Sequence, residues 1–146
     1  METQGDSVQP VSDPAQNHKK KILLLEDDEQ LSEIIKEFLV MYDYQVISVS
    51  NGVEGVREII AGDFDVIVCD MMMPKLAGDM FYLAVERMRP YLCERFIFIT
   101  GQQGNAKVIN FINKVGGLML AKPFPMNDLL DLAGFVQLRD LTCPAR

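Results

Sequence analysis

Residues 21–29 of the chain read KILLLEDDE, and this stretch sets the fold class. Four apolar residues run unbroken from Ile22 to Leu25, which is typical of a strand buried on both faces of a parallel sheet. Four acids follow, and the next apolar residues recur at the spacing of one helix face: Leu31, Ile34, Ile35, Phe38 and Leu39. We therefore predict a buried strand, an acidic turn and an amphipathic helix.

The same alternation of strand and helix recurs along the rest of the chain. Further short apolar runs occupy residues 46–49, 66–69, 96–99 and 118–121. The helical patterns that follow have apolar sides at Val53, Val56, Ile59 and Ile60; at Phe81, Ala84, Val85 and Met88; within residues 106–114; and at Leu129, Leu132, Ala133 and Val136. Asn51 is expected to cap the second helix and Pro90 to stop the third. The pattern predicts an α/β protein with a doubly wound, five-stranded parallel sheet.

Composition and charge exclude several classes of protein. The 146 residues are 49% hydrophobic and 24% charged, which fits one folded domain rather than a disordered or membrane-spanning chain. Lys and Arg number 14 against 21 Asp and Glu, so the net charge of −7 repels phosphates and we expect no nucleic-acid partner. Residues 1–18 are rich in Gln, Ser, Asp and Pro and are expected to be a flexible tail; they also lack the features of a signal peptide, so secretion is not expected. The three widely spaced cysteines suit the cytoplasm.

Polar residues follow the ends of the predicted strands. They are Glu26, Asp27 and Asp28 after the first strand, Asp70 after the third, Thr100 after the fourth and Lys122 after the fifth. The carboxyl ends of strands form the ligand-binding edge of a doubly wound sheet, so we expect these side chains to converge. Carboxylates about 4 Å apart repel by about 4 kcal/mol at an effective dielectric constant of ~20, and the cluster needs a counter-charge. Lys122 supplies one positive charge, and Mg²⁺, which prefers oxygen ligands, supplies two.

Each of these residues also has an ordinary structural explanation. Asp28 alone is best explained as a helix N-cap, Thr100 as a loop hydroxyl and Lys122 as a solvated charge. The three methionines at residues 71–73 are interpreted as loop residues, and His18 as a spectator in the tail. What favours a site is the combination, because four separate strand ends carry complementary chemistry.

Several motifs, taken in order, resemble the receiver domain of two-component response regulators. They are residues 21–29, Asn51-Gly52, Asp70-Met71-Met72-Met73-Pro74 with Gly78 eight residues after Asp70, Thr100-Gly101, and Lys122-Pro123-Phe124. The intervals from Asp27 to Asp70, on to Thr100 and on to Lys122 are 43, 30 and 22 residues, all typical of receivers. The resemblance implies a receiver domain over residues 19–138, a short C-terminal tail at 139–146, and a flavodoxin-like (βα)5 sheet with strand order 2-1-3-4-5.

The resemblance also implies a role for each site residue. Asp70 is expected to accept a phosphoryl group from a histidine kinase or a histidine phosphotransfer protein. Mg²⁺ is expected to bind Asp70, the acidic pair Glu26 and Asp27, and the backbone carbonyl of Met72. Thr100 is expected to bind a phosphoryl oxygen. Lys122 is expected to bridge Asp70 and the phosphate.

Two details of the site follow from the resemblance as well. The run of acids continues beyond Asp27, which leaves the position of the pair open by one residue. The family's pair follows the strand directly, so we choose Glu26 and Asp27 and leave Asp28 as a cap. The bond from Lys122 to Pro123 matches a position that is usually cis in the family.

The expected output is a change in the face formed by the fourth helix, fifth strand and fifth helix, which would bind a downstream protein. Met119 stands where the family usually has Tyr or Phe, and Gly55, where it often has Ala, is expected to loosen the second helix.

We expect a cytoplasmic module without membrane contact, either a stand-alone regulator or the receiver of a hybrid histidine kinase. We expect that it is not an enzyme, and that it catalyses at most its own phosphorylation and slow dephosphorylation. The alternative is a haloacid-dehalogenase-like phosphatase with Asp70 as nucleophile, although Met72 occupies the position of its general acid.

Overall fold

The computed structural model describes residues 19–101 and 105–142. The strands in this part of the chain are β1 (Lys20–Leu25), β2 (Tyr44–Val49), β3 (Val66–Asp70), β4 (Phe96–Thr100) and β5 (Leu118–Ala121). The helices are α1 (Glu29–Met41), α2 (Gly52–Ala61), α3 (Gly78–Met88), α4 (Ala106–Val115) and α5 (Met126–Thr142). Each strand is followed by a helix, as the apolar pattern predicts.

All the strands pair in parallel, in the order β2-β1-β3-β4-β5. Leu25 at the end of β1 lies opposite Val49 of β2 and Cys69 of β3. Asp70 at the end of β3 lies opposite Ile99 of β4. The last residues of neighbouring strands therefore reach the same edge of the sheet, and the predicted doubly wound fold with strand order 2-1-3-4-5 is confirmed.

Two apolar cores lie on the two faces of the sheet. Alternate residues of β1 divide between them, with Leu23 and Leu25 in one core and Ile22 and Leu24 in the other. Helices α2, α3 and α4 contribute to the first core, and α1 and α5 to the second. Every residue of β3 and β4 is buried. This is the burial expected of central strands covered by helices on both sides, and it explains their unbroken apolar sequence.

Two helices begin at side-chain caps that the sequence predicts. Asp28 Oδ1 accepts the backbone N–H groups of Gln30 and Leu31 at the start of α1. Asn51 Oδ1 accepts the N–H of Glu54 at the start of α2. Each contact satisfies backbone donors that have no partner within the first turn of the helix.

The buried stripes of the helices are narrower than the apolar patterns suggest. Four residues assigned to inward faces lie at the surface instead: Ile34, Val53, Ile60 and Met88. Ile60, for example, is 63% exposed, because α2 turns Gly52, Gly55 and Ile59 towards the core. Small residues thus occupy inward positions that a count of apolar side chains cannot detect. The reverse error occurs at Tyr82, which is buried but was not predicted to be.

Gly55 marks a close approach between α2, β1 and α3. A Cβ atom at this position would lie 2.5 Å from Leu25 Cδ2 and 2.9 Å from Phe81 Cε1. Gly55 therefore permits tight packing, a role that the expectation of a looser helix does not include.

One helix ends as the sequence predicts, before Pro90, and another extends beyond its sequence-based bound. Helix α3 ends at Met88, and Pro90 begins a short 3₁₀-helix (Pro90–Arg95) that leads into β4. Helix α5 continues to Thr142, so residues 139–142, expected in the C-terminal tail, are helical. Residues 1–18, with His18, and residues 143–146 lie outside the described part of the chain. None of the helices that are described has the length and apolar character needed to cross a bilayer.

Candidate functional site

Three carboxylates meet at the carboxyl edge of the sheet. One oxygen from each of Glu26, Asp27 and Asp70 lies within 4.8 Å of the other two. Glu26 and Asp27 directly follow β1, and Asp70 is the last residue of β3, the neighbouring strand. Glu26 and Asp70 are only 2% and 3% exposed, whereas Asp27 faces solvent. The structure brings the three predicted metal-binding acids together and leaves the cluster open on one side.

Lys122 supplies a positive charge inside this cluster. Its Nζ atom lies 2.9 Å from Asp70 Oδ2 and 3.2 and 3.1 Å from Glu26 Oε1 and Oε2. Its backbone N–H donates to Thr100 O at 2.8 Å, which ties the segment after β5 to the end of β4. The peptide bond from Lys122 to Pro123 is cis, as the resemblance predicts. One ammonium group therefore contacts two buried carboxylates.

The electrostatics of the cluster shift the ionisation of its members. Burial first, and then the charge of Asp70 and a hydrogen bond with it, raise the pKa of Glu26 from 4.5 to about 7. The N–H of Asp28 and the ammonium of Lys122 oppose this shift. Burial lowers the pKa of Lys122, but hydrogen bonds to Asp70 and Glu26 and their charges outweigh it and raise the pKa above 10.5. Lys122 is therefore a permanent cation near neutral pH, while Glu26 is held near its titration point.

The segment between β3 and α3, residues 71–77, holds the second oxygen of Asp70; we refer to it as the β3–α3 loop. The backbone N–H of Met72 donates to Asp70 Oδ1 at 2.9 Å. The N–H of Met71 donates to Ile99 O at 3.0 Å and joins the loop to β4. Met71 and Met73 are buried, whereas Met72 is 64% exposed. The methionines are thus loop residues, as predicted, and the middle one is positioned directly beside Asp70.

Thr100 and Asp28 complete the set of predicted polar residues. Thr100 is buried at the end of β4, one residue beyond Ile99, the sheet partner of Asp70. Asp28 is exposed and caps α1, outside the carboxylate cluster. The position of Asp28 supports Glu26 and Asp27 as the acidic pair.

This donor set suits a small, hard divalent cation. When ionised, three carboxylates and one ammonium leave a net charge of −2, which a divalent cation balances. Each Asp70 oxygen has one hydrogen-bond donor, so each keeps a lone pair for a further partner. Carboxylate and carbonyl oxygens beside open solvent are the ligands that Mg²⁺ prefers, since it retains several waters. The residues present therefore fit Mg²⁺.

Two contacts of the site were not predicted. The ion pair between Lys122 and Glu26 depends on the path of two long side chains, which no sequence spacing reports. The other is the close contact between Gly52 of α2 and Leu76 of the β3–α3 loop. Gly52 belongs to the Asn51-Gly52 motif, but nothing in the sequence predicts its contact with Leu76.

Comparison with known proteins gives a consistent assignment. The family model for the response regulator receiver domain matches residues 22–133. The transcriptional regulatory protein CrdR of Helicobacter pylori is 34% identical over 112 residues, which is 76% of this chain and 52% of that protein. Hybrid signal transduction histidine kinase D of Dictyostelium discoideum is 37% identical over 73 residues, 50% of this chain and 4% of that protein. The chain spans about half the length of the first curated relatives it matches.

Comparison with solved structures supports the same assignment. A response regulator receiver domain protein from Clostridium thermocellum aligns with a TM-score of 0.75 at 27% identity, covering 84% of this chain and 97% of that one. The signal receiver domain of a signal transduction histidine kinase from Syntrophus aciditrophicus aligns with a TM-score of 0.75 at 22% identity, covering 87% and 96%, and shows the shared fold. These matches give no support to the haloacid-dehalogenase-like alternative. The chain belongs to the receiver domains of two-component response regulators.

Proposed function

We propose that Asp70 accepts a phosphoryl group from the phosphohistidine of a histidine kinase or a histidine phosphotransfer protein. The observation that carries this proposal is the environment of the Asp70 carboxylate at the carboxyl edge of the sheet. Asp70 has an ammonium group 2.9 Å from one oxygen, a backbone N–H 2.9 Å from the other, and two further acids within 4.8 Å. A carboxylate held in this way is oriented towards an incoming electrophile, with positive charge beside it to stabilise the product.

The transfer forms a bond between a carboxylate oxygen of Asp70 and phosphorus, and breaks the P–N bond of phosphohistidine, whose imidazole leaves. Lys122 contacts Asp70 already, and in the product its ammonium binds a phosphoryl oxygen. Thr100, at the end of the adjacent strand β4, donates its hydroxyl group to another phosphoryl oxygen. The backbone hydrogen bond from Lys122 to Thr100 ties the segment that carries the ammonium group to the end of the strand that carries the hydroxyl group.

We assign Mg²⁺ to Asp70, Asp27, Glu26 and the backbone carbonyl of Met72. Asp27 is exposed and would hold the ion directly, whereas Glu26, which is already in contact with Lys122, would hold it through water. When bound, Mg²⁺ neutralises negative charge on the phosphoryl oxygens. The N–H of Met72, which donates to Asp70 Oδ1, holds the β3–α3 loop beside the carboxylate.

We propose that the output is read from the surface of α4, β5 and α5. A phosphoryl group adds about −1.5 to −2 charge beside Thr100 and so favours a different position of the end of β4. Helix α4, which follows β4, buries Ile112 and only partly buries Val108, Phe111 and Val115. Met119 of β5 is 42% exposed on the same side of the molecule. A helix held by few buried side chains moves at a small cost in free energy.

The protein is proposed to act as a phosphoacceptor rather than as an enzyme with multiple turnover. The free thiols of Cys69 and Cys93 favour a reducing compartment such as the cytoplasm. A stand-alone regulator and the receiver of a hybrid histidine kinase both fit this function, and the match to a hybrid signal transduction histidine kinase is of the second kind.

The decisive experiment is incubation of the full chain with Mg²⁺ and acetyl phosphate, followed by intact mass measurement. We expect the addition of one phosphoryl group to the wild type and none to Asp70→Asn. Asp28→Asn is the matched control, because asparagine retains the helix cap and Asp28 lies outside the cluster; we expect it to be labelled normally. A wild type that stays unlabelled with Mg²⁺ present contradicts the proposal, and release of many phosphate equivalents points to a phosphatase.

A second experiment examines the output surface. Amide shifts of residues 105–138 are compared before and after phosphorylation. We expect changes in α4 and β5, and unchanged shifts throughout this range would show that the signal leaves by another surface.

A further inference from the structure

The β3–α3 loop connects the phosphoacceptor strand to α3 in an unusually constrained path. Leu76 N–H donates to Pro74 O at 2.7 Å, a γ-turn across Lys75, whose φ is 66°. A lysine in this left-handed region is strained, because its Cβ approaches the following carbonyl oxygen. Such a conformation persists only where the surrounding structure determines it. The question is which contacts hold this loop in place.

One end of the loop is held at Met71. Its N–H donates to Ile99 O at 3.0 Å, and its carbonyl accepts the N–H of Gly78 at 3.3 Å. Gly78 lies so close to this end that a Cβ would be 2.9 Å from Met71 Cα and 3.0 Å from Asp70 O. This end therefore moves with the sheet and with the start of α3.

The other end of the loop is held by Leu76 against the first turn of α2. A Cβ added to Gly52 would lie 2.4 Å from Leu76 O and 2.6 Å from Leu76 Cβ. These distances are far inside van der Waals contact, so the loop backbone lies directly on the bare Cα of Gly52. Leu76 itself packs against the core on the α2 and α3 side.

Helix propensity does not explain glycine at position 52. The residue is the first of α2, where its N–H needs no helical partner and alanine is the better helix former. The backbone φ of Gly52 is not in the left-handed region. The close approach of Leu76 is thus the requirement that only glycine meets.

We infer that Gly52 is a positioning residue for the metal site. By admitting Leu76 it sets the position of the β3–α3 loop, and with it the position of Met72, whose N–H donates to Asp70 and whose carbonyl is the proposed ligand. The inference rests on the proposed function, because it takes Met72 as a metal ligand. A side chain at position 52 pushes Leu76 away from α2. Since the other end of the loop is held at Met71, the displacement falls on residues 72–75, which include the ligand.

The experiment measures Mg²⁺ binding and folding separately in the full chain. Isothermal titration with Mg²⁺ alone gives the affinity, urea unfolding gives the stability, and amide shifts of the metal-free protein report the loop. We expect Gly52→Ala to lower the affinity for Mg²⁺ about tenfold, the lower end of what loss of a supporting contact costs a metal site. We also expect shifted amides for Met72 and Met73 before any metal is added.

Gly117→Ala is the matched control. A Cβ there would lie 2.5 Å from Phe98 Cε2, so this variant also loses stability through a clash, but far from the β3–α3 loop. We expect its Mg²⁺ affinity to stay within twofold of the wild type. Leu76→Ala is a second variant without a clash, and we expect it to weaken Mg²⁺ binding several-fold by releasing the loop; it decides the matter if Gly52→Ala does not fold.

The outcomes separate this inference from the proposed function. A folded Gly52→Ala with wild-type affinity and wild-type loop shifts overturns the inference and leaves the metal site intact. Equal losses of affinity in the variants at 52 and 117 overturn it too, because the effect is then one of general stability. If the wild type binds no Mg²⁺, the metal site fails, and the metal-free shifts of Met72 alone decide whether Gly52 positions the loop.

Discussion

The raised pKa of Glu26 makes Mg²⁺ binding depend on pH in a range where most carboxylates are already ionised. Burial and the neighbouring Asp70 raise this pKa to about 7 in the metal-free protein. With that value, Glu26 is about 9% ionised at pH 6 and about 91% ionised at pH 8. A cation competes with the proton for this carboxylate, so the apparent Mg²⁺ affinity should rise about tenfold from pH 6 to pH 8. Lys122 stays charged throughout, because its own pKa is raised.

Isothermal titration of the wild type and of Glu26→Gln at both pH values checks this prediction. Glutamine has the shape of the protonated acid and cannot titrate, so the variant should bind Mg²⁺ weakly, with most of the pH dependence removed. Wild-type affinities that agree within twofold at pH 6 and pH 8 would refute the reasoning. So would a Glu26→Gln variant with the same pH dependence as the wild type.

The raised pKa of Glu26 should also make the stability of the metal-free protein depend on pH. Between pH 4.5 and about 7 the folded protein binds a proton at Glu26 that the unfolded chain has released. The free energy of unfolding should therefore fall as pH rises through this window, by up to about 1.4 kcal/mol per pH unit. Urea unfolding in chelator should show this fall in the wild type and a shallower one in Glu26→Gln. The contribution of Lys122 is constant here, because it is lost only above pH 10.5.

Three further substitutions have defined effects on stability. Lys122→Met leaves Glu26 and Asp70 buried without their cation and should cost about 2–3 kcal/mol, somewhat less than a fully buried pair because Lys122 is partly exposed. Mg²⁺ should stabilise this variant more than the wild type in urea unfolding; an equal effect would contradict the role of Lys122 as counter-charge. Asp28→Ala removes a helix cap and should cost about 1 kcal/mol with phosphorylation by acetyl phosphate unchanged. Gly134→Ala should gain up to about 1 kcal/mol in thermal unfolding, because nothing lies within 4 Å of the new Cβ.

The fold and the site were predictable where the signal is local or repeated. Unbroken apolar strands report burial on both faces of a sheet, and parallel strands place their carboxyl ends together. The polar residue at or just after the end of each strand could therefore be placed at this edge without any knowledge of contacts, as for Asp70, Thr100 and Lys122. The caps at Asp28 and Asn51 were equally accessible, since each bonds residues within three positions of itself.

The features that the sequence did not predict depend on how helices, strands and loops pack against one another. Ile34 is 54% exposed despite its place in an apolar pattern, because the rotation of a helix is set by its neighbours and not by its own composition. The contact of Lys122 with Glu26 joins residues 96 positions apart through flexible side chains. The approach of Leu76 to Gly52 joins a loop to a helix that follows a different strand. Each of these exists only after the whole sheet is assembled.

The packing around Gly55 has a consequence for designs that average sequences across the family. Alanine at this position gains about 1 kcal/mol of helix propensity when considered alone. In this chain the new methyl group meets Leu25 at 2.5 Å and Phe81 at 2.9 Å, and overpacking of that kind costs about 1–3 kcal/mol. A consensus choice therefore acquires the opposite sign in this background. We therefore expect substitutions at positions 25, 55 and 81 to be non-additive, so that alanine at 55 is tolerated only where smaller side chains stand at 25 and 81.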